Sequence, residues 1–352
     1  MDIIFNPPVN EENQYIQLLV RELRTKGYRI HPLDTIFSSY RHFRSIKVVH
    51  LNWFENIDDS SFFAALRSFL RKLAVLTAIR LSGKPLVWTL HNRMSHEKGA
   101  AFFSRVLTRL LIRWSACIII HSGQSEEVLA AYGTKVLERA TYIPHPHFIG
   151  MYGDVVTADP PLGDALQLLF IGMVKPYKNL ELLIDVVGAF GHRVQLIIAG
   201  KAIDESYQRK LADRAAGVGN VRLLPYFIPD NELTGLLGQT DAVVLPYDLA
   251  SSLNSGTVIL AFSYKKTVIC PEIGTMADLG DHLEDTFCYR YDTPEQHRRA
   301  LTQQIEEALM RKQDDLHALD DMGERLYQHV AAAHDPQRIG DELTRLYRHV
   351  LD

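Results

Sequence analysis

Short β-branched apolar runs alternate with amphipathic segments of helical period along almost the whole 352-residue chain, and few folds accommodate that alternation. Parallel strands need a crossover of a dozen or more residues, usually a helix. Repeated strand–helix–strand units therefore build a parallel sheet with helices on both faces. The spacing predicts strands near Asp2 to Phe5, Arg29 to Pro32, Lys47 to Leu51, Pro85 to His91, Cys117 to His121 and Thr141 to Pro144. Helices fill the gaps at Gln14 to Lys26, Ser61 to Leu81, Ala100 to Trp114 and Ser125 to Tyr132. After a Pro- and Gly-containing stretch the pattern restarts at Gln167 to Gly172, Arg193 to Gly200, Val221 to Pro225, Ala242 to Pro246 and Val268 to Cys270, followed by a helical tail.

A single core stops growing efficiently beyond about 250 residues, so this length and this restart give two α/β, doubly wound, Rossmann-like domains. The expected organisation is an N-terminal domain over 1–150, a linker over 151–165, a C-terminal domain over 166–335, and a final helix over 336–352 packing back toward the first domain. Ligands of such sheets bind beyond the carboxyl ends of the strands, which places the expected site in the cleft where two such halves face each other.

Composition narrows the partners. Cys117, Cys270 and Cys288 are far apart without a C-x-x-C spacing, which reads as free thiols in a reducing compartment. The N-terminus has no basic region ahead of an apolar run, and no window approaches 18 apolar residues, so the expectation is a cytoplasmic protein. Residues 1–150 hold 19 Lys/Arg against 12 Asp/Glu, whereas the remainder holds 19 against 30. A basic half suggests an anionic partner there, a phosphate-bearing acceptor or the inner face of a membrane. Interleaved Phe62, Phe63, Phe69, Phe102, Phe103 and Trp114 with Arg67, Arg71, Arg105, Arg109 and Arg113 would suit a peripheral membrane contact, although aromatic core and solvated arginines give the same pattern. No nucleic-acid module, G-x-G-x-x-G or G-x-x-x-x-G-K-[ST] is present, which excludes those classes.

Two strand-to-helix junctions of the second half carry phosphate chemistry. In Phe170 to Asn179, Gly172 permits a tight turn, Pro176 stiffens the loop, and Asn179 is placed to cap the next helix. Lys175 and Lys178 then stand beside a helix N-terminus, where a diphosphate meets a positive dipole end and ammonium groups. The second run, Leu245 to Thr257, ends in Asn254, Ser255, Gly256 and Thr257 at a helix start, whose small residues leave backbone N–H groups open to an oxyanion. Each run alone also fits an ordinary βα loop or helix cap.

Together the two runs resemble the donor domain of GT-B glycosyltransferases, in particular the retaining family 4. That family follows its first donor strand with F-x-G-R and then K-G/N. Lys178 matches the lysine and would be helped by Lys175 or Lys201, while Met173 stands at the usual arginine, which Lys175 would replace. The paired glutamates of the family map to Ser252 and Leu260, neither acidic. A bacterial polysaccharide subgroup without those glutamates is closer: it shares Pro176 to Asn179, an H-x-H-W run comparable with His50 to Trp53, an H-N…H-E run comparable with His91-Asn92 and His96-Glu97, and an I-P-H-x-H run comparable with Ile143 to His147. The resemblance implies a retaining transferase that uses a UDP- or GDP-sugar without metal or other cofactor. It places the diphosphate on Gly172, Lys175, Lys178, Lys201, Asn254, Ser255, Gly256 and Thr257, and the base and ribose on Tyr226, Phe227, Ile228, Pro229 and Ser252. His91, at a strand end, would orient the sugar and share catalysis with Lys178. Asn6, Asn52, Trp53, His96, Glu97 and His147 would meet a saccharide or lipid-linked acceptor. Two same-fold alternatives, a non-catalytic nucleotide-sugar-binding partner of a transferase and a GT-B sugar-nucleotide epimerase, stay open. His91, His96, His145 and His147 match no zinc spacing.

Overall fold

A computed structural model describes residues 1–10, 14–58, 60–93, 101–154 and 164–352. His96 and Glu97 lie outside the described residues. The chain divides into two compact units, the first made of 1–146, 250–254 and 334–352, the second of 147–249 and 255–333.

The first unit contains β1 (Asp2–Asn6), α1 (Gln14–Thr25), β2 (Arg29–His31), α2 (Tyr40–Ser45), β3 (Ile46–Asn52), α3 (Phe62–Leu81), β4 (Leu86–Leu90), α4 (Ala101–Trp114), β5 (Cys117–Ile120), α5 (Gln124–Ala130), α6 (Thr134–Leu137) and β6 (Ala140–Tyr142). Its six parallel strands run in the order β2-β1-β3-β4-β5-β6, so the direction of winding reverses between β1 and β3. Strand side chains alternate between two cores: Ile4, Val49, Leu51 and Trp88 pack under α3 and α4, while Ile3, Phe5, Val48 and Val87 pack against α1. This two-sided burial is why the strands read as continuous apolar runs.

The second unit contains β7 (Leu166–Ile171), α7 (Leu180–Gly188), β8 (Val194–Ala199), α8 (Glu205–Ala215), β9 (Val221–Leu224), α9 (Asp230–Gly238), β10 (Ala242–Val244), α10 (Gly256–Ser263), β11 (Thr267–Pro271), α11 (Gly274–Ala277), β12 (Phe287–Tyr289), α12 (Pro294–Asp314) and α13 (Ala318–Ala333). The parallel order β12-β11-β10-β7-β8-β9 reverses between β7 and β10. Strand β12 has no counterpart in the sequence reading. Three residues after a run rich in Asp and Glu give no periodicity, and only pairing of Cys270 with Cys288 reveals the edge strand.

Helix α14 (Pro336–His349) groups with the first unit. It buries Ile339, Leu343, Leu346 and Tyr347 in the α1-side core, with Lys26 and Asp341 paired at 2.5 Å on its rim. The change of unit falls at Pro146 to His147, ahead of the expected linker at 151–165, most of which (155–163) lies outside the described residues. Residues 147–154 already belong to the second unit because the Phe148 and Tyr152 amides donate to Ser263 Oγ and Tyr264 OH, each at 2.9 Å.

Candidate functional site

In a doubly wound sheet the two loops at the reversal point splay apart and leave a crevice at the strand ends. In the second unit those are the loops after β7 and β10, the two runs singled out by sequence. Gly172 ends β7 with φ 122° and donates its amide to Ala199 O at 3.1 Å. Gly200 ends β8 with φ 151°, and a Cβ on it would lie 1.9 Å from Gly172 O, so the two loops meet backbone to backbone. Pro176 opens a 3₁₀ turn ending at Lys178. Asn179 does not cap α7 through its side chain. It adopts the left-handed conformation (φ 52°), and its Nδ2 instead donates to Pro246 O at 3.0 Å, tying the β7 loop to the β10 loop. Asp248 N to Tyr177 O at 2.9 Å is a second tie.

The Lys178 ammonium stands 4.0 Å from the ring centre of Tyr247, 5.2 Å from Tyr177 and 5.9 Å from Phe170. No carboxylate among the described residues pairs with it. The residue as a whole is part-exposed, yet its charge lies among ring faces, and loss of water lowers its pKa, partly offset by Tyr177 and Cys270. Ring quadrupoles stabilise such a cation only partly, so an anion that reached it would gain a charge-assisted contact.

Ser255 caps α10, its Oγ accepting from Val258 N at 3.3 Å and pairing with Tyr247 OH at 3.1 Å. Its own amide donates to Thr275 Oγ1 at 2.9 Å. Of the three backbone donors expected for the diphosphate, Ser255 is therefore already used. The first-turn N–H groups of Gly256 and Thr257 have no partner among the described residues, as the start of a helix requires. Thr257 Oγ1 lies 3.8 Å from where a Gly172 Cβ would be, so the α10 start and the β7 loop line the same space. Tyr291, absent from the sequence reading, clamps the β10 loop: its hydroxyl accepts from Leu249 N at 3.0 Å, donates to Tyr247 O at 2.8 Å, and its ring stacks on His297.

The remaining second-unit residues are less concentrated. Lys201 is exposed after β8, where its carbonyl accepts from Val174 N at 2.9 Å, and Lys175 precedes the 3₁₀ turn. Tyr226 and Phe227 expose their rings after β9, with Ile228 following and Pro229 opening α9. His147 also falls in this unit, its Nδ1 accepting from Ile149 N. Ser252 and Asn254 do not group with Ser255 to Thr257. Residues 250–254 belong to the first unit, where Leu253 is fully buried in the core that holds Leu51 and Trp88. Ser252 Oγ and both side-chain polar atoms of Asn254 are buried without hydrogen bonds to the described residues.

In the first unit the reversal point lies between β1 and β3, which brings Asn6, Asn52 and Trp53 together. Asn52 Nδ2 donates to Asn6 O at 3.3 Å, and its Oδ1 faces His91 Nε2 at 3.1 Å. Trp53, held at φ 50°, stacks on the His91 ring at 4.0 Å. Sequence reasoning found His91, Trp53 and the runs that hold His50 and His145, but not Tyr15 and His121, which join them in one cluster. Tyr15 pairs with His121 at 3.1 Å and packs against Trp53, His91 and His145. His50 is held between Tyr347 OH at 2.6 Å and Thr89 Oγ1 at 2.8 Å. Burial, reinforced by neighbouring rings, pushes His50 and His145 down to about 3 and His91 well below its ordinary value. Burial alone takes His121 down to about 4, against a hydrogen bond to Ile143 O that raises it. At neutral pH these rings are uncharged, so they meet ligands as hydrogen-bonding groups and not as cations.

Residues 165–309 match the family model "Glycosyl transferases group 1". Over 253 residues, 70% of this chain and 67% of the relative, the sequence is 24% identical to a GDP-mannose:glycolipid 4-beta-D-mannosyltransferase of Xanthomonas campestris pv. campestris. Over 107 residues, 30% of this chain and 27% of the relative, it is 31% identical to the D-rhamnosyltransferase WbpZ of Pseudomonas aeruginosa. Among solved structures, Anabaena Alr3699/HepE in complex with UDP-glucose superposes with a TM-score of 0.71 at 13% identity, covering 99% of this chain and 100% of that one. A structure described as trehalose-6-phosphate from E. coli bound with UDP-2-fluoro glucose gives 0.69 at 8% identity, covering 98% of each chain. The two parallel six-stranded sheets have the GT-B fold of those structures, and with the group 1 transferase match from β7 into α12 they support a GT-B nucleotide-sugar glycosyltransferase.

Proposed function

We propose that the protein transfers a sugar from a UDP- or GDP-sugar to a saccharide acceptor carried on a lipid, in the assembly of a bacterial surface or exopolysaccharide. The observation that carries the reading is the Lys178 ammonium, set among ring faces and, among the described residues, without a carboxylate, in the same crevice as the Gly256 and Thr257 amides, which have no partner among those residues. As the bond from the anomeric carbon to the diphosphate oxygen breaks, the electron pair moves onto the diphosphate. Lys178 and the two amides stabilise that growing charge, with Lys175 and Lys201 adding to the field. The acceptor oxygen bonds to the anomeric carbon. In the retaining course implied by the resemblance to family 4, its proton passes to the departing phosphate on the same face, with no metal taking part. The Xanthomonas relative's name supports a glycolipid acceptor and a GDP-sugar, and the ligand of the Anabaena structure supports a UDP-sugar.

That relative's name also favours a second stereochemical reading, since a β linkage made from an α-linked donor is an inversion. The anomeric configuration of the product, read by NMR coupling constants, decides between the two. The transfer reading itself is tested with a panel of radiolabelled nucleotide sugars and lipid-linked acceptors. Turnover abolished in Lys178→Ala and His91→Ala supports it; binding without turnover for every pair refutes it in favour of a non-catalytic binding protein. A thermal-shift series with UDP, GDP, CDP and ADP identifies the base, because a ligand specific to the folded state raises its stability by mass action.

The first unit supplies the proposed membrane contact at the cytoplasmic face. Phe62, Phe63 and Phe102 are 67%, 80% and 66% exposed and join Phe103 in one ring cluster at the starts of α3 and α4. Arg67, Arg71, Arg105 and Arg109 lie on the same helices. No helix among the described residues is long and apolar enough to cross a membrane. Exposed rings with arginines suit the boundary of an anionic bilayer. Flotation with phosphatidylglycerol vesicles, lost in the Phe62→Ser/Phe63→Ser/Phe102→Ser variant, checks it; equal flotation of that variant refutes it.

A further inference from the structure

Three histidine rings stand at successive strand ends of the first unit: His50 in β3, His91 after β4 and His121 after β5. Two of them are fully committed. His50 uses one nitrogen on Tyr347 and the other on Thr89, and His121 uses Nδ1 on Ile143 O and Nε2 on Tyr15 OH. His91 is different. Its Nε2 meets Asn52, and its Nδ1 makes no hydrogen bond among the described residues.

The proton on His91 can be placed by elimination, starting from a backbone carbonyl. Asn6 O can only accept, so the Asn52 side chain must turn its NH₂ toward it. Rotating the amide the other way would set two acceptors against each other. Asn52 Oδ1 therefore faces His91, and because it too can only accept, Nε2 must carry the ring proton. A neutral imidazole holds one proton, so Nδ1 keeps its lone pair. A phosphate oxygen without a proton cannot approach a lone pair favourably, whereas a hydroxyl can. Trp53, stacked on one ring face, and Tyr15, edge-on at 5.4 Å, prevent the ring from turning to exchange the two nitrogens.

We infer that Asn52 is a positioning residue that holds His91 in the Nε2–H tautomer, so that Nδ1 accepts a hydrogen bond from a hydroxyl of the donor sugar or the acceptor and not from the diphosphate. The hydroxyl contact rests on the functional reading above; the tautomer does not. Among the described residues, Tyr15 on α1, His50 on β3, His121 after β5 and His145 after β6 are the titratable groups around the ring.

The tautomer is read without substrate, by two-bond ¹⁵N–¹H correlation of the ¹⁵N-labelled full chain, with the His91 signals assigned by their loss in His91→Gln. The expected wild-type pattern is protonated Nε2 and bare Nδ1; a protonated Nδ1 overturns the proposal. Asn52→Leu is expected to release the tautomer and lower kcat by about 10²-fold with donor KM nearly unchanged, the size of a lost acid–base or orienting contribution. Unchanged tautomer and kcat overturn it. Should that variant fold poorly, Asn52→Asp serves: it keeps the acceptor and adds a charge, and the acid limb of kcat/KM is expected to move up by about one pH unit. An unmoved limb overturns the pairing. Asparagine places its polar atoms near imidazole Nδ1 and glutamine places them near Nε2, so His91→Asn should exceed His91→Gln in turnover, and the reverse order refutes the Nδ1 assignment. The correct tautomer with wild-type turnover in His91→Ala would overturn the substrate contact while leaving Asn52 as the group that sets the tautomer.

Discussion

Gly200 offers the sharpest test of the donor crevice, because the effect of one methyl group can be worked from the geometry. A Cβ at this position would stand 1.9 Å from Gly172 O, where ordinary contacts begin at 3.4 Å. The ends of β7 and β8 would have to part by roughly 1.5 Å, and close-packed backbone does not absorb that locally. The φ of 151° adds backbone strain of about 1–3 kcal/mol. Parting the two loops moves the chain that carries Lys178, and a misplacement of about 1 Å at a reacting group costs about 10²-fold in rate. Gly200→Ala is therefore expected to lower kcat/KM for the sugar donor by about 10²-fold. It should also lower the melting temperature by roughly 5–10 °C for a unit of this size. Initial-rate kinetics over a donor series and differential scanning calorimetry measure both. Gly172→Ala is the matched control: it has a positive φ too, but its Cβ would meet only Thr257 Oγ1 at 3.8 Å, so it should show strain with a smaller kinetic loss. Wild-type donor kinetics in Gly200→Ala would refute the argument that backbone contact at the two strand ends sets the diphosphate site.

Lys178→Met, which keeps the bulk and removes the charge, should lower kcat/KM by about 10² to 10³-fold and erase the thermal shift produced by the nucleoside diphosphate; a retained shift would mean that the anion sits elsewhere. Tyr347→Phe removes one of the two partners of a buried His50 and should cost about 1–3 kcal/mol, seen as earlier unfolding of the first unit in urea. The pH dependence has a defined sign. His50, His121 and His145 have folded values of about 3, 4 and 3, below the unfolded value of about 6.5, so the unfolded chain binds more protons in between. Their stabilising effect is complete above about pH 6.5 and declines as pH falls toward about 4. A melting temperature flat from pH 7 to 4 would contradict that burial. Gly323→Ala should destabilise by about 1–3 kcal/mol in chemical denaturation, because its Cβ would lie 2.0 Å from Lys265 O where α13 crosses the turn before β11.

Much of this could be read from the chain because burial on both faces of a parallel sheet writes itself as uniform apolar runs, and Gly172, Pro176 and Ser255 punctuate loops for local steric reasons. Asn179 shows where that reading fails. A local rule assigned it to cap α7, yet a carbonyl 67 residues away in sequence, Pro246 O, competes for the side chain. Ser252 and Asn254 fail similarly: nothing local marks the point at which Leu253 turns into the core of the other unit.

The sequence by itself determined the alternation, the two-part organisation, and the pair of βα junctions whose lysine and small residues suit a diphosphate, since these rest on periodicity and on the steric freedom of single residues. Only the tertiary structure decided that Tyr177, Tyr247 and Phe170 surround Lys178, that Gly256 and Thr257 hold the unused amides, and that Asn52 sets the proton on His91. Those outcomes depend on which strands become neighbours where each sheet reverses direction. Strand order is a property of long-range pairing, and it leaves no mark within any one segment of the chain.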